Sequence, residues 1–292
     1  MLQSSFMDLV IHIFEDALID TLRLIPFLFV TYLAMEAIEH KMEGRAEQVV
    51  QRAGFAGPVV GALVGAFPQC GFSAAAATLY AGRVITLGTL FAVFLATSDE
   101  LLPILIAEQA PLSMMLQILG AKVLIGMVMG FIVDAFMRIT ARHHKHLHIH
   151  DLCEHDHCDC EDGIVKSALK HTAQVSLFIF LITLVIAALI EGIGEDALAS
   201  FLSSQPMLSV VASAIVGLIP NCAASVVITE LYLQGALSAG SLISGLLVSA
   251  GVGFLVLYRT NRPIKSTLGI VGVLLLIGIA WGFIIDACGI VF

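Results

Sequence analysis

Apolar runs punctuate the chain at Leu24–Ala37, Val84–Ala107, Met114–Phe136, Val175–Ile190, Leu237–Leu257 and Leu268–Ile285. Each approaches the roughly 20 residues that carry a helix across a bilayer. Two more apolar stretches, Gly54–Gly82 and Pro206–Gln234, are interrupted by Pro68-Gln69-Cys70-Gly71 and by Pro220-Asn221-Cys222. Proline inside a span strips a partner from the carbonyl four residues earlier, so these stretches predict helical hairpins. Their arms of about 13 residues reach about 20 Å as helix, which leaves open whether each hairpin turns back inside the membrane or crosses it. The spans Val84–Ala107 and Leu237–Leu257 are expected to run through without interruption. Met1–Leu18 is amphipathic and acidic, unlike a cleavable signal peptide, and is expected to lie on the membrane surface or to preface the first span.

The pattern occurs twice. GFIVDA at Gly130–Ala135 returns as GFIIDA at Gly282–Ala287, and VGAFPQCGFS at Val64–Ser73 returns as VGLIPNCAAS at Val216–Ser225, each 152 positions later. The same shift pairs Glu39 with Glu191, Leu79-Tyr80 with Leu231-Tyr232 and Gly88 with Gly240. One gap-free offset linking such distant segments marks a tandem duplication. The chain divides into an N-terminal segment (1–20), a first membrane repeat (21–137), a polar loop (138–170) and a second repeat (171–292). The expected fold class is an all-α integral membrane protein of about ten transmembrane or hairpin helices in two inverted five-helix repeats.

Charge supplies the inversion. Hydrophobic residues make up 59% of the chain and charged residues 13%, about half the charged share of a soluble domain. The loop His40–Arg52 carries Lys41, Arg45 and Arg52, whereas its counterpart Gly192–Gln205 carries only Glu195 and Asp196. Ala107–Ser113 has no basic residue, while Tyr258–Lys265 has Arg259, Arg262 and Lys265. Basic loops stay in the cytoplasm, so equivalent loops face opposite sides and each half crosses an odd number of times. With Arg52 and Arg83 both inside, the first hairpin enters from the cytoplasm and the second from outside, bringing the two tips together near the midplane.

The tips are the first candidate site. Pro68, Gln69, Cys70 and Ser73 recur as Pro220, Asn221, Cys222 and Ser225, and unpaired carbonyls, amides and thiols at a helix break can receive an ion or polar solute. A plain pair of kinks with packing cysteines is the bland alternative. Asp99 and Glu100 lie inside an apolar span, where carboxylates are costly and usually functional. Lys122 falls at similar depth on the next helix, so an ion pair with Asp99 or Glu100 is one outcome. Glu230 is a further buried acid, while Asp134 and Asp286 read as structural marks of the repeat. Carboxylate and amide oxygens favour a hard ion such as Mn²⁺ and thiols a softer one, so the donor set does not choose.

The polar loop holds His143, His144, His146, His148, His150, Cys153, His155, His157, Cys158 and Cys160 among six acids. Imidazole and thiolate are preferred ligands for Zn²⁺, Cu, Ni²⁺ and Co²⁺, and the irregular spacing fits a flexible cytoplasmic metal-capturing loop rather than a zinc finger. Nothing in the six cysteines suggests a disulfide framework.

The paired GAFPQCGFS and GLIPNCAAS segments, followed by TLYAGR and ELYLQG, resemble the ten-transmembrane heavy-metal exporter family, whose members are called arsenic efflux proteins or manganese transporters. The resemblance implies ten helices in two repeats of five and a pathway centred on Pro68, Gln69, Cys70, Pro220, Asn221 and Cys222. The expected function is a secondary transporter exporting heavy-metal or divalent cations across the cytoplasmic membrane, with a permease for an arsenic- or sulfur-containing solute as first alternative and a membrane metal sensor as second. No phosphate-binding Gly-rich loop and no His-Glu-x-x-His spacing is present, so neither built-in ATP hydrolysis nor an enzyme is expected. No tightly bound cofactor is expected, and the metal ion serves as substrate and loop ligand. Expected partners are a metal ion or small solute and the lipid bilayer, with a homodimer allowed for and no nucleic acid.

Overall fold

A computed structural model describes residues 14–33 (apart from 16, 20 and 27), 56–98, 101–140, 164–193, 206–261 and 264–292. Every regular element among these residues is a helix. The first half contributes α1 (Gly57–Gly65), α2 (Cys70–Ala81), α3 (Leu87–Ala96), α4 (Leu101–Ala107) and α5 (Leu112–Thr140). The second contributes α6 (Ile164–Ile193), α7 (Pro206–Gly217), α8 (Cys222–Leu233), α9 (Ala239–Val248), α10 (Val252–Thr260) and α11 (Ile264–Ala287). Residues 14–33, helical where described, are the counterpart of α6. Helices α2 and α8, and likewise α3 and α9, begin and end 152 residues apart, so the duplicated sequence is a duplicated set of elements.

Two spans differ from the sequence expectation. Val84–Ala107 and Leu237–Leu257 are each split into two half-helices, α3–α4 and α9–α10. Helix α3 stops at Thr97, whose backbone turns extended (φ −51°, ψ 127°). Pro103 then occupies the first turn of α4, where a missing N–H is harmless. In the second half Gly251 adopts φ +49° immediately before α10, a conformation that favours glycine. The polar loop is also shorter than expected, because α5 runs to Thr140 and α6 starts at Ile164. Arg138 in the last turn of α5 complements the negative end of the helix dipole.

The halves share one packing scheme, in which α3 lies against α1 and α5, and α9 against α7 and α11. An Asp on each outer helix locks this layer. Asp134 accepts the Gly88 N–H through Oδ1 (2.8 Å) and the Thr86 hydroxyl through Oδ2 (2.7 Å). Asp286 accepts the Gly240 N–H (2.8 Å) and the Ser238 hydroxyl (2.8 Å) in the same way. Thr86 and Ser238 are the N-caps of α3 and α9 and accept from Thr89 N and Ser241 N. Each carboxylate therefore satisfies orphan donors at a helix start from 46 residues away. The backbones come this close because Gly88 faces the Gly130 carbonyl and Gly240 the Gly282 carbonyl, the small-residue contact favoured between helices in lipid.

Burial separates two layers. The broken spans Leu87–Ala107 and Ala239–Thr260 are 69% and 89% buried, whereas Leu112–Ile139, Ala168–Ala188 and Ile264–Ala287 are only 28–33% buried. The outer face is nonetheless apolar: Leu116, Leu124, Val128, Ile132 and Phe136 of α5 form an exposed stripe. An apolar exterior around an equally apolar interior fits lipid as the solvent. Between the halves, α2 packs on α10, α8 packs on α4, and α3 touches α9. Phe14 meets Phe180 edge-on at 5.5 Å and Tyr32 stacks on His171 at 5.4 Å, so residues 14–33 run antiparallel to their counterpart α6.

A Cβ at Gly88 or Gly240 would stand 2.1 or 2.2 Å from a carbonyl oxygen. Gly88→Ala and Gly240→Ala are each expected to cost roughly 1–3 kcal/mol by overpacking. Gly120→Ala, with nothing within 4 Å, is expected to be neutral or mildly stabilising. Thermal melts in detergent check all three.

Candidate functional site

Each hairpin turns through the same tight tip. Gln69 N donates to the Phe67 carbonyl (2.7 Å) and Phe72 N to Gln69 (3.3 Å); Asn221 N donates to Ile219 (2.8 Å) and Ala224 N to Asn221 (3.3 Å). The break follows from Pro68 and Pro220, and the returning arms α2 and α8 start at Cys70 and Cys222. Pro68 is exposed, Gln69, Pro220 and Asn221 are half-buried, and Ser73 and Ser225 are buried one turn into their arms. Glu230 is half-buried near the far end of α8, about 12 Å along the helix from Cys222 at 1.5 Å per residue, so the fold does not bring it to the tip.

Across the halves, the returning arm of each hairpin packs on the other half's broken span, α2 on α10 and α8 on α4, rather than on the other hairpin. The first turn of α2 lies on the start of α10, where a Cβ at Gly253 would sit 2.9 Å from the Ser73 Cβ and 3.0 Å from the Phe94 ring. Phe94, at the end of α3, meets Phe254 edge-on at 5.5 Å. One hairpin and both broken helices thus converge at this point. Sequence reading missed Thr97, Gly251 and Gly253 as parts of the site. Pro103 and the Gly251-Val252-Gly253 run were the available signals, and both were passed over inside long apolar stretches.

The two breaks are chemically unequal. In the first, Lys122 on α5 is 1% exposed and donates through Nζ to the Thr97 carbonyl. Ser98 Oγ donates to the Ala96 carbonyl (2.9 Å) and Thr97 Oγ1 to Val93 (2.8 Å). A buried ammonium needs such polar partners to offset its desolvation, and the unwound carbonyl supplies one. Asp99 and Glu100, the expected ion-pair partners, lie outside the described residues. The second break has Ser249, Ala250 and Gly251 in place of Thr97, Ser98 and Asp99, and the fully buried Leu274 in place of Lys122.

Among the described residues no three His, Cys, Asp or Glu side chains gather as a metal site. The loop ligands His143, His144, His146, His148, His150, Cys153, His155, His157, Cys158 and Cys160 lie outside the described residues. The site that is described therefore consists of backbone carbonyls, hydroxyls, the tip amides Gln69 and Asn221, and one lysine.

A multi-pass helical membrane protein with interrupted spans at matched places in two repeats has the architecture of a transport protein. The chain belongs to the family described as "Putative, 10TM heavy-metal exporter", whose model matches residues 5–196 and 159–290. No curated protein and no solved structure matches the chain.

The contact of Ser73 with Gly253 is open to a double-mutant cycle. Gly253→Ala alone is expected to cost roughly 1–3 kcal/mol. Adding Ser73→Gly, which removes the nearest clashing atom, is expected to recover at least about 0.5 kcal/mol relative to additivity. Strict additivity in thermal or denaturant melts would place the two segments apart.

Proposed function

We propose that this protein is a secondary transporter that exports a heavy-metal or divalent cation such as Mn²⁺ across the cytoplasmic membrane. The observation that carries the reading is the exchange between halves: the returning arm of each hairpin packs on the broken span of the other, so unwound backbone from both repeats is held among buried helices. Irregular backbone at membrane depth is tolerated where protein or a watery cavity satisfies it, and transporters use such points to bind cargo. Asp99 and Glu100 flank the first break in sequence and supply negative charge for a cation, with Gln69 and Asn221 adding amide oxygens. The His/Cys loop between the repeats captures metal on the cytoplasmic side and raises its local concentration.

Two features support inverted repeats. Equivalent loops carry opposite charge character, and residues 14–33 run antiparallel to α6. Inverted repeats interchange roles when one rocks against the other, which gives alternating access around a fixed site. In this scheme the Gly-packed layers α1–α3–α5 and α7–α9–α11 move as units, and the cross-half contacts are where sliding occurs.

One observation favours a second reading. A cysteine begins the returning arm of each hairpin, and paired sulfur donors suit arsenite or another thiophilic solute better than Mn²⁺.

Proteoliposome flux with Mn²⁺, Zn²⁺, Ni²⁺, Co²⁺, Cu⁺ and arsenite separates the readings. Mn²⁺ flux is expected to survive joint Cys70→Ser and Cys222→Ser replacement and to fall by at least about tenfold, or 1.4 kcal/mol in barrier terms, on joint Asp99→Asn and Glu100→Gln replacement. Arsenite flux abolished by the cysteine pair would establish the second reading. Metal binding without flux would make the protein a sensor.

A further inference from the structure

The inequality of the two breaks assigns a ligand to the second one. In the first repeat a cation is built in: the Lys122 ammonium stands on the carbonyl of Thr97. The repeat-equivalent carbonyl is that of Ser249, and the repeat-equivalent of Lys122 is Leu274. Leucine ends two bonds short of the position of a lysine Nζ, so Leu274 leaves the ammonium's place unfilled by its own side chain. Among the described residues no hydrogen-bond donor serves the Ser249 carbonyl, nor those of Leu246 and Leu247 in the last turn of α9. Ala250 N turns back to the Val248 carbonyl (2.8 Å) instead of continuing the helical ladder. These oxygens belong to a span that is 89% buried, and buried carbonyls left without donors are costly. Ser249 is partly exposed between the buried Val248 and Ala250.

We propose that the second break, at Ser249–Gly251, binds a monovalent alkali cation of the Na⁺ class in the place that the Lys122 ammonium fills in the first. The donor chemistry selects the class. Among the described residues the break offers carbonyl and hydroxyl oxygens and neither carboxylate nor sulfur, a set that favours a hard singly charged ion over Ca²⁺, Mg²⁺ or a soft metal. The C-terminal end of α9, with its partial negative charge, points the same way. Helices α7, α9, α10 and α11 bear no acidic residue near the break: Asp286 lies at the far end of α11, committed to the cap of α9. The carrier therefore holds two equivalent cation positions, one permanently occupied by the chain and one loaded from solution. An imposed gradient of that ion drives cargo movement, which rests on the transport reading above.

The purified protein in detergent supplies the first test, by melting in NaCl, KCl, LiCl and choline chloride at equal ionic strength. A saturable single-site rise in Tm with an alkali ion over choline is expected, because a ligand that binds only the folded state stabilises it. Leu274→Lys, which copies the first repeat into the second, is expected to remove that response and to weaken apparent alkali affinity by at least about tenfold. Ser249→Ala is expected to weaken it less, since the carbonyls remain. Indistinguishable melts in all four salts would overturn the proposal, as would a folded Leu274→Lys protein that keeps the full alkali response. Should Leu274→Lys fail to fold, the salt series on the unmodified protein and on Ser249→Ala still decides. Proteoliposome flux distinguishes the two readings. An alkali-dependent melt without cargo flux sinks transport and leaves the site, and flux without any alkali response sinks the site alone.

Discussion

Hydrocarbon offers no hydrogen bonds, so every interruption of a helix inside the membrane must be satisfied by the protein itself. This chain interrupts its helices at four described places, two hairpin tips and two broken spans. Its answer is reciprocal cover. The broken span of each half is seated against a hairpin arm of the other, α10 on α2 and α4 on α8. A single repeat would lack the cover that the other half's hairpin arm gives its broken span. The interface between the halves is also where the irregular backbone gathers.

The rest of the frame keeps those interruptions in place. Helices α3 and α9 start under the carboxylates Asp134 and Asp286, each of which ties a hydroxyl and a backbone N–H of the neighbouring helix start. Direct backbone approach at Gly88–Gly130 and Gly240–Gly282 makes each three-helix layer rigid, since larger side chains would hold the helices apart. Packing within each layer is more extensive than packing between the halves, a division of stiffness that the proposed rocking would use. The foot of the first hairpin carries an informative strain. Arg83 adopts φ 60° where the second repeat has Gly235 at φ 76°, although a non-glycine residue in this region costs about 1–2 kcal/mol. Its guanidinium lies over the Tyr80 ring at 5.3 Å, which returns part of that cost, and the retained positive charge is what distinguishes the loop from its counterpart.

Much of this was legible in the residues. The offset of 152 predicted the repeated element boundaries, and Pro68 and Pro220 marked the hairpin tips because proline leaves a physical signature in a helix. The broken spans were harder to see. Thr97-Ser98-Asp99-Glu100 holds no glycine or proline, and Gly251 sits in a run of small apolar residues that a spanning helix tolerates. Break and continuous span have similar hydropathy, so Pro103 and the Gly251-Val252-Gly253 run were weak signals, and the partner across the interface, Ser73 against Gly253, is what distinguishes them. Asp134 and Asp286 were recognisable as repeat marks, but their capping role depends on pairing residues 46 positions apart, which no local pattern encodes. The acids Asp99 and Glu100 and the His/Cys loop remain readings of the sequence, since they fall outside the described residues.

Symmetry fixes what the two elbows have in common, and departures from symmetry show where selection has acted on each separately. Capping carboxylates, capping hydroxyls, close-contact glycines and tip prolines are matched between the halves, and each of them serves the frame. Several charged differences fall at the breaks: a lysine against a leucine at 122 and 274, two acids against a glycine and a valine at 99–100 and 251–252. A purely structural role would give equivalent breaks equivalent chemistry, because both face the same demand to satisfy unwound backbone. Loading one elbow with charge of both signs and leaving the other neutral instead divides labour between them. Charged groups held at membrane depth are costly enough that they persist only where they act. On the transport reading proposed above, the charged elbow is where cargo recognition is best sought, and the neutral one is the place proposed for an ion that the chain does not itself provide.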